Sequence, residues 1–180
     1  MPKVEFRLKT TEINRAIREL RAYQSRVRRL GNELAQRLAD IGVQNASIRF
    51  ANAQYDGTND VVVTAEATQK GYAVTANGHA VCFIEFGSGV HYNSGVAYPL
   101  PKPAGIADIG HYGKGHGSKD VWRYQGDPGT NGVVMTPEDD PTVQSSYVLT
   151  QGNPAQMPMY YASEEMRANI QRIAQEVLRG

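Results

Sequence analysis

Between Ile13 and Ile41 the apolar residues Ile13, Ile17, Leu20, Val27, Leu34, Leu38 and Ile41 recur at steps of three, four and seven. That is the spacing of one face of an α-helix. A helix of about thirty residues, about 45 Å long, follows from it, and a rod of that length dictates what the rest of the chain must pack on. Thr10 or Thr11 can cap its start and Glu12 suits its first turn. Gly42 is the expected stop. Gly31 falls in the apolar stripe and is the expected close-packing point. Arg15, Arg18, Arg26 and Arg29 project from the opposite face.

Alternation of apolar and polar residues marks strands on either side of this helix. Val4, Phe6 and Leu8 alternate with Glu5, Arg7 and Lys9, and Ala46, Ile48 and Phe50 alternate after the helix. Residues 61–67 are rich in β-branched side chains and strand-like, Lys70-Gly71 reads as a hairpin tip, and residues 72–76 return as the partner strand. The fold class expected is α+β: an antiparallel sheet packed by the long N-terminal helix and a C-terminal helix. Pro158 suits the first turn of that last helix. Met159, Met166, Ile170, Ile173 and Val177 make its apolar stripe.

Residues 81–89, Val-Cys-Phe-Ile-Glu-Phe-Gly-Ser-Gly, form the most concentrated apolar run in the chain, as a short helix or a strand. Glu85 inside it is costly to bury unless hydrogen bonds or a cation satisfy it. A structural carboxylate bonding backbone amides or an arginine is expected there. The run is the hinge between a regular scaffold and an excursion over residues 88–150, which holds ten of the eighteen glycines and six of the nine prolines. Segments that long are usually functional or disordered. This one also carries Tyr92, Tyr98, Tyr112, Trp122 and Tyr124, so partner contact is expected of these aromatics. The alternative is a small satellite core. Residues 121–124, 133–135 and 147–150 read as short strands. The whole, 1–180, is expected to be a single domain with an extended insertion at about 88–150.

Charge is divided along the chain. Residues 1–50 carry eleven Lys/Arg against five Asp/Glu, net +6; residues 51–180 carry eight against thirteen, net −5. Such a split points to head-to-tail contact between copies or to a polar partner surface; a basic helix that is simply solvated is the alternative reading. The Arg face can also meet phosphates, but it lacks interleaved aromatics; salt bridges to a neighbouring subunit are the preferred reading. No apolar run reaches transmembrane length, the N-terminus lacks the apolar core of a signal peptide, and the single Cys82 allows no intrachain disulfide.

Catalytic signatures are weak. The Gly-rich stretch 113–119 lacks the order of a phosphate loop, because Ser118 separates Gly117 from Lys119. His111 and His116, with Asp108 and Asp120, can hold a metal, which makes a metal-dependent nuclease or hydrolase the alternative function. Cys82, between Val81 and Phe83, reads as a buried thiol rather than a nucleophile. No cofactor is expected.

Two blocks together are more specific. Phe-Ile-Glu-Phe-Gly-Ser-Gly at 83–89, a Gly-rich excursion, and Gly-Asn-Pro-Ala-Gln-Met-Pro-Met-Tyr-Tyr-Ala at 152–162 before a last helix resemble the tail-completion (head–tail joining, neck) proteins of long-tailed bacteriophages. The resemblance implies a non-enzymatic virion component assembled in the host bacterial cytoplasm. It implies a homo-oligomeric ring, usually of six copies, at the junction of neck and tail tube, touching a neighbouring connector protein and the tail-tube or terminator protein. DNA passes through the hole as cargo, and no membrane is involved. Glu85, Phe86 and Gly87 match one family block; Pro154, Ala155, Gln156 and Pro158 match the other. Both are expected to fix how the excursion leaves and rejoins the core.

Overall fold

The computed structural model describes residues 9–101, 108–113 and 118–179. The expected strand at Val4–Leu8 lies outside them. The fold is α+β. Helix α1 (Thr10–Ala51) is followed by a hairpin of β1 (Val62–Thr68) and β2 (Gly71–Asn77), then by the short helix α2 (Val81–Phe86). Three short strands, β3 (Trp122–Tyr124), β4 (Val133–Met135) and β5 (Tyr147–Thr150), lie in the excursion, and α3 (Pro158–Arg179) closes the chain.

Helix α1 has 42 residues, about 63 Å, so the expected stop at Gly42 and the strand at 46–50 are corrected. Alternation and helical spacing compete over that segment. Ala39, Gly42, Ala46 and Phe50 are buried, at steps of three and four, whereas Ile48 is exposed. The helical period therefore wins, and the chain leaves the helix only at Asn52. Gly42 is not a terminator but the point of closest approach to α3: a Cβ there would come within 2.6 Å of the Met166 sulfur. That is the role expected of Gly31, which is exposed, with no group within 4 Å of where its Cβ would stand.

Helix α3 runs antiparallel to α1. Tyr161 lies under the Arg49 guanidinium, Met166 meets Gly42, and Glu176 pairs with Arg37. Its buried side is Pro158, Ala162, Ile173 and Val177; Ile170, expected in the stripe, is exposed at its edge. The hairpin, with its tip at Lys70-Gly71 as expected, covers the same half of α1. The main core joins Ala46 and Phe50 to Ala80, Ile84 and Ala162, with Val63 and Ala76 from the hairpin against them. A smaller cluster of Phe86, Ile109 and Met157 takes in Tyr98, Ala155 and Tyr160.

The three short strands in the excursion fall where the sequence places them. They form a separate antiparallel sheet of order β3-β5-β4, not an extension of the hairpin. Among the described residues no helix is long and apolar enough to cross a membrane.

Candidate functional site

The two halves of the sequence resemblance meet in space. Glu85 is buried near the C-terminal end of α2 and faces the N-terminus of α3. Its carboxylate accepts the Met159 N–H at 2.8 Å, the Tyr160 N–H at 3.2 Å and the Tyr98 hydroxyl at 2.5 Å. Helix N-termini present unpaired N–H groups and a partial positive charge, so a carboxylate from elsewhere in the chain serves as their cap. Burial pushes the Glu85 carboxyl above its ordinary range, and these hydrogen bonds pull it back. The Tyr98 hydroxyl is raised, by burial first and by its bond to Glu85 second. The expected structural carboxylate is thus present, bonded to backbone amides and a tyrosine.

Around it runs a polar seam. Ser88 and Asn153 exchange backbone hydrogen bonds, each at 2.9 Å. The Asn93 side chain donates to the Gly89 and Asn153 carbonyls and accepts the Ala155 N–H. Gln156 donates its N–H to the Ile84 carbonyl, while its side-chain amide exchanges two hydrogen bonds with the backbone of Gln54. Asp56 is buried; it donates its N–H to Asn153 Oδ1 and accepts from Asn131 N–H and the Thr150 hydroxyl. The seam leaves no room for side chains where its strands cross: at Gly87, φ 71°, a Cβ would lie 2.6 Å from Asn93 Oδ1. Glu85, Gly87, Ala155, Gln156 and Pro158 all sit on this seam, Phe86 and Pro154 beside it. Asn153, inside the second block, is equally central, as are Asn93, Asp56 and Gln54, which the sequence does not single out. Asp56-Gly57 reads as an ordinary turn, and an isolated Asn or Gln carries no periodic signal.

The aromatics of the excursion divide. Tyr98 packs on Phe86 at 4.9 Å and spends its hydroxyl on Glu85. Tyr112 meets Phe83 edge-on at 4.7 Å. Trp122 lies over Gly89 and Gly152. The Tyr124 hydroxyl donates to the Asp127 carbonyl at 2.5 Å and is pushed up to about 12, chiefly by burial. These four are half-buried and hold the excursion to itself and to α2, the satellite-core alternative. Tyr92 is exposed, its ring against His91.

Arg15, Arg18, Arg26 and Arg29 are exposed, as is every residue from 10 to 29. Only the C-terminal part of α1 is packed; residues 10–29, all exposed, extend from it as an arm about 30 Å long. Arg15 reaches Glu19 at 3.8 Å. Ile13, Ile17, Leu20 and Val27 of the arm are 40–67% exposed.

His111 pairs with Ser88 through an isolated bridge and its N–H donates to the Asp108 carbonyl. His116 lies outside the described residues. Among the described residues no three His, Cys, Asp or Glu side chains gather as a metal site would require. Cys82 is a half-buried free thiol beside Tyr112. No family model, curated protein or solved structure matches the chain.

Proposed function

We propose that this chain is a structural component of a bacteriophage head–tail junction, a tail-completion or connector protein. It acts in the virion as a homo-oligomeric ring, six copies by the resemblance, with DNA passing through the lumen. The observation that carries this reading is the arm. A monomer gains nothing from an overhanging helix whose apolar stripe faces water, since most helical stability in proteins comes from packing such a face. A second subunit gives that stripe a place to be buried. The close joining of residues 85–89 to residues 152–158 supports the resemblance on which the family reading rests, because the two blocks act as one unit. Chemistry has no part in this role: the ring body positions surfaces, and assembly is the activity.

The test is the mass of the native assembly, by native mass spectrometry or light scattering, alone and with the tail-tube protein of the same phage. A ring, or a monomer that becomes a ring on adding the tube, is expected. A monomer that ignores the tube would sink the proposal.

A further inference from the structure

The arm has a complement at the opposite end of the same molecule. In the β3-β5-β4 sheet Arg123, Leu149 and Val133 stand in register, hence on one face. The other face carries the buried Val148 and Thr150. Leu149 and Val133, with Val121 and Tyr92, line a hollow of about 290 Å³ on the outer side. Val121, Val133 and Tyr92 are 43%, 56% and 38% exposed, so this apolar patch faces water. Arg123 stands on this face, but the segment that carries it is acidic overall. Residues 118–150 carry five Asp/Glu against two Lys/Arg, net −3, and Glu138, Asp139 and Asp140 sit together in the β4–β5 connection. The arm has the opposite character. Residues 10–29 carry six Arg against two Glu, net +4. Arg21, four residues after Ile17, and Arg28, four after Gln24, flank its apolar stripe.

We propose that the arm of one copy docks, apolar stripe down, across the outer face of the β3-β5-β4 sheet of a second copy. The same chain cannot make this contact. Hydrogen bonds from Tyr55 to Thr130 and from Asn131 to Asp56 hold the sheet beyond the C-terminal end of α1, and about 63 Å of helix separates that end from the start of the arm. Pairing two arms is the poorer arrangement, because that sets +4 against +4. The Ile13–Val27 stripe, about 21 Å long, spans three strands at about 5 Å each and lets the flanking arginines overhang the acidic connection. A contact between unlike surfaces at opposite ends of one molecule is heterologous, and repeated with a closing rotation it makes a ring. The inference rests on the ring reading above and names the surfaces that build the ring.

The experiment uses three forms of the full chain: wild type, an arm variant (Ile17→Asp with Leu20→Asp) and a face variant (Val121→Asp with Val133→Asp). Each is checked by circular dichroism and weighed by native mass spectrometry. Wild type is expected to oligomerise and each variant alone to be monomeric. Mixed in equal amounts, the variants should form a 1:1 dimer and nothing larger, because one intact arm and one intact face remain. A face variant that assembles like wild type overturns the inference while leaving the ring reading standing. A wild type that stays monomeric with and without tail-tube protein overturns both. Should the aspartates unfold the sheet, Arg21→Glu with Arg28→Glu on the arm reads the same contact; assembly is expected to be lost, and unchanged assembly overturns the inference.

Discussion

Glu85 does at a distance what a capping residue does locally. It satisfies two N–H groups at the start of α3 and ties Tyr98 to them. In Glu85→Gln the side-chain NH2 must face one of those donors, leaving a buried group unpaired. The expected loss is about 1–3 kcal/mol in urea unfolding. The pH dependence has a defined sign. The folded-state pKa of Glu85 is raised, so the unfolded chain ionises first as pH rises, and the contribution of Glu85 to stability falls from about pH 4 upward through the shifted pKa. The stability gap between wild type and Glu85→Gln should therefore be widest in acid and narrow toward neutrality. A gap that widens with pH would contradict the burial argument. Gly152 gives a second residue-scale prediction. Its φ is +89°, and a Cβ would run into the Ser88 carbonyl oxygen. Gly152→Ala must strain the backbone and part the Ser88–Asn153 crossing, at a cost on the order of 2–4 kcal/mol by denaturant titration.

Helix α1 is two elements joined end to end. In its packed part Phe50 is almost fully buried against Ala80, Ile84 and Ala162, and Phe50→Ala should cost about 3–5 kcal/mol. In the arm Leu20→Ala should cost less than about 0.5 kcal/mol, although both residues belong to one helix; equal losses in urea unfolding would mean that the arm is covered in the monomer. Gly31→Ala, at an exposed helical position with open space around it, should stabilise by about 0.4–1 kcal/mol. The same residues show what the sequence could disclose. Both hairpin strands, the three strands of the excursion and the start of α3 at Pro158 were legible, because β-branched runs, turn dipeptides and proline placement are local signals. The fate of residues 42–51 was not. Gly42 looks the same whether it ends a helix or admits another, and only the arrival of Met166 from α3 decides between them. Likewise the block at 83–89 announced a buried acid, but its partners came from residues 98, 159 and 160, beyond the reach of any short-range pattern.

Across the whole molecule, the excess of positive charge on the arm and of negative charge in the excursion lie at opposite ends, with the packed body between them. A monomer draws no short-range benefit from that arrangement, because charges separated by more than the Debye length, about 10 Å at 0.1 M salt, are largely screened from one another. Between copies the separation disappears: the basic end of one meets the acidic end of the next. Such complementarity acts mainly on encounter, steering the approach and setting the register, while the apolar stripe supplies contact that holds. Salt then discriminates between the two contributions. Raising ionic strength from about 0.05 M to about 0.5 M should weaken self-association on the order of tenfold, mostly through slower association, with dissociation changed far less. Light scattering across a salt series, with stopped-flow mixing for the rates, measures both. In Glu138→Lys, at an exposed position in the acidic connection, the salt dependence should flatten as the attraction is reduced, with monomer stability unchanged. If assembly strengthened with salt in wild type and variant alike, the contact would be purely apolar and the divided charge would have no part in assembly.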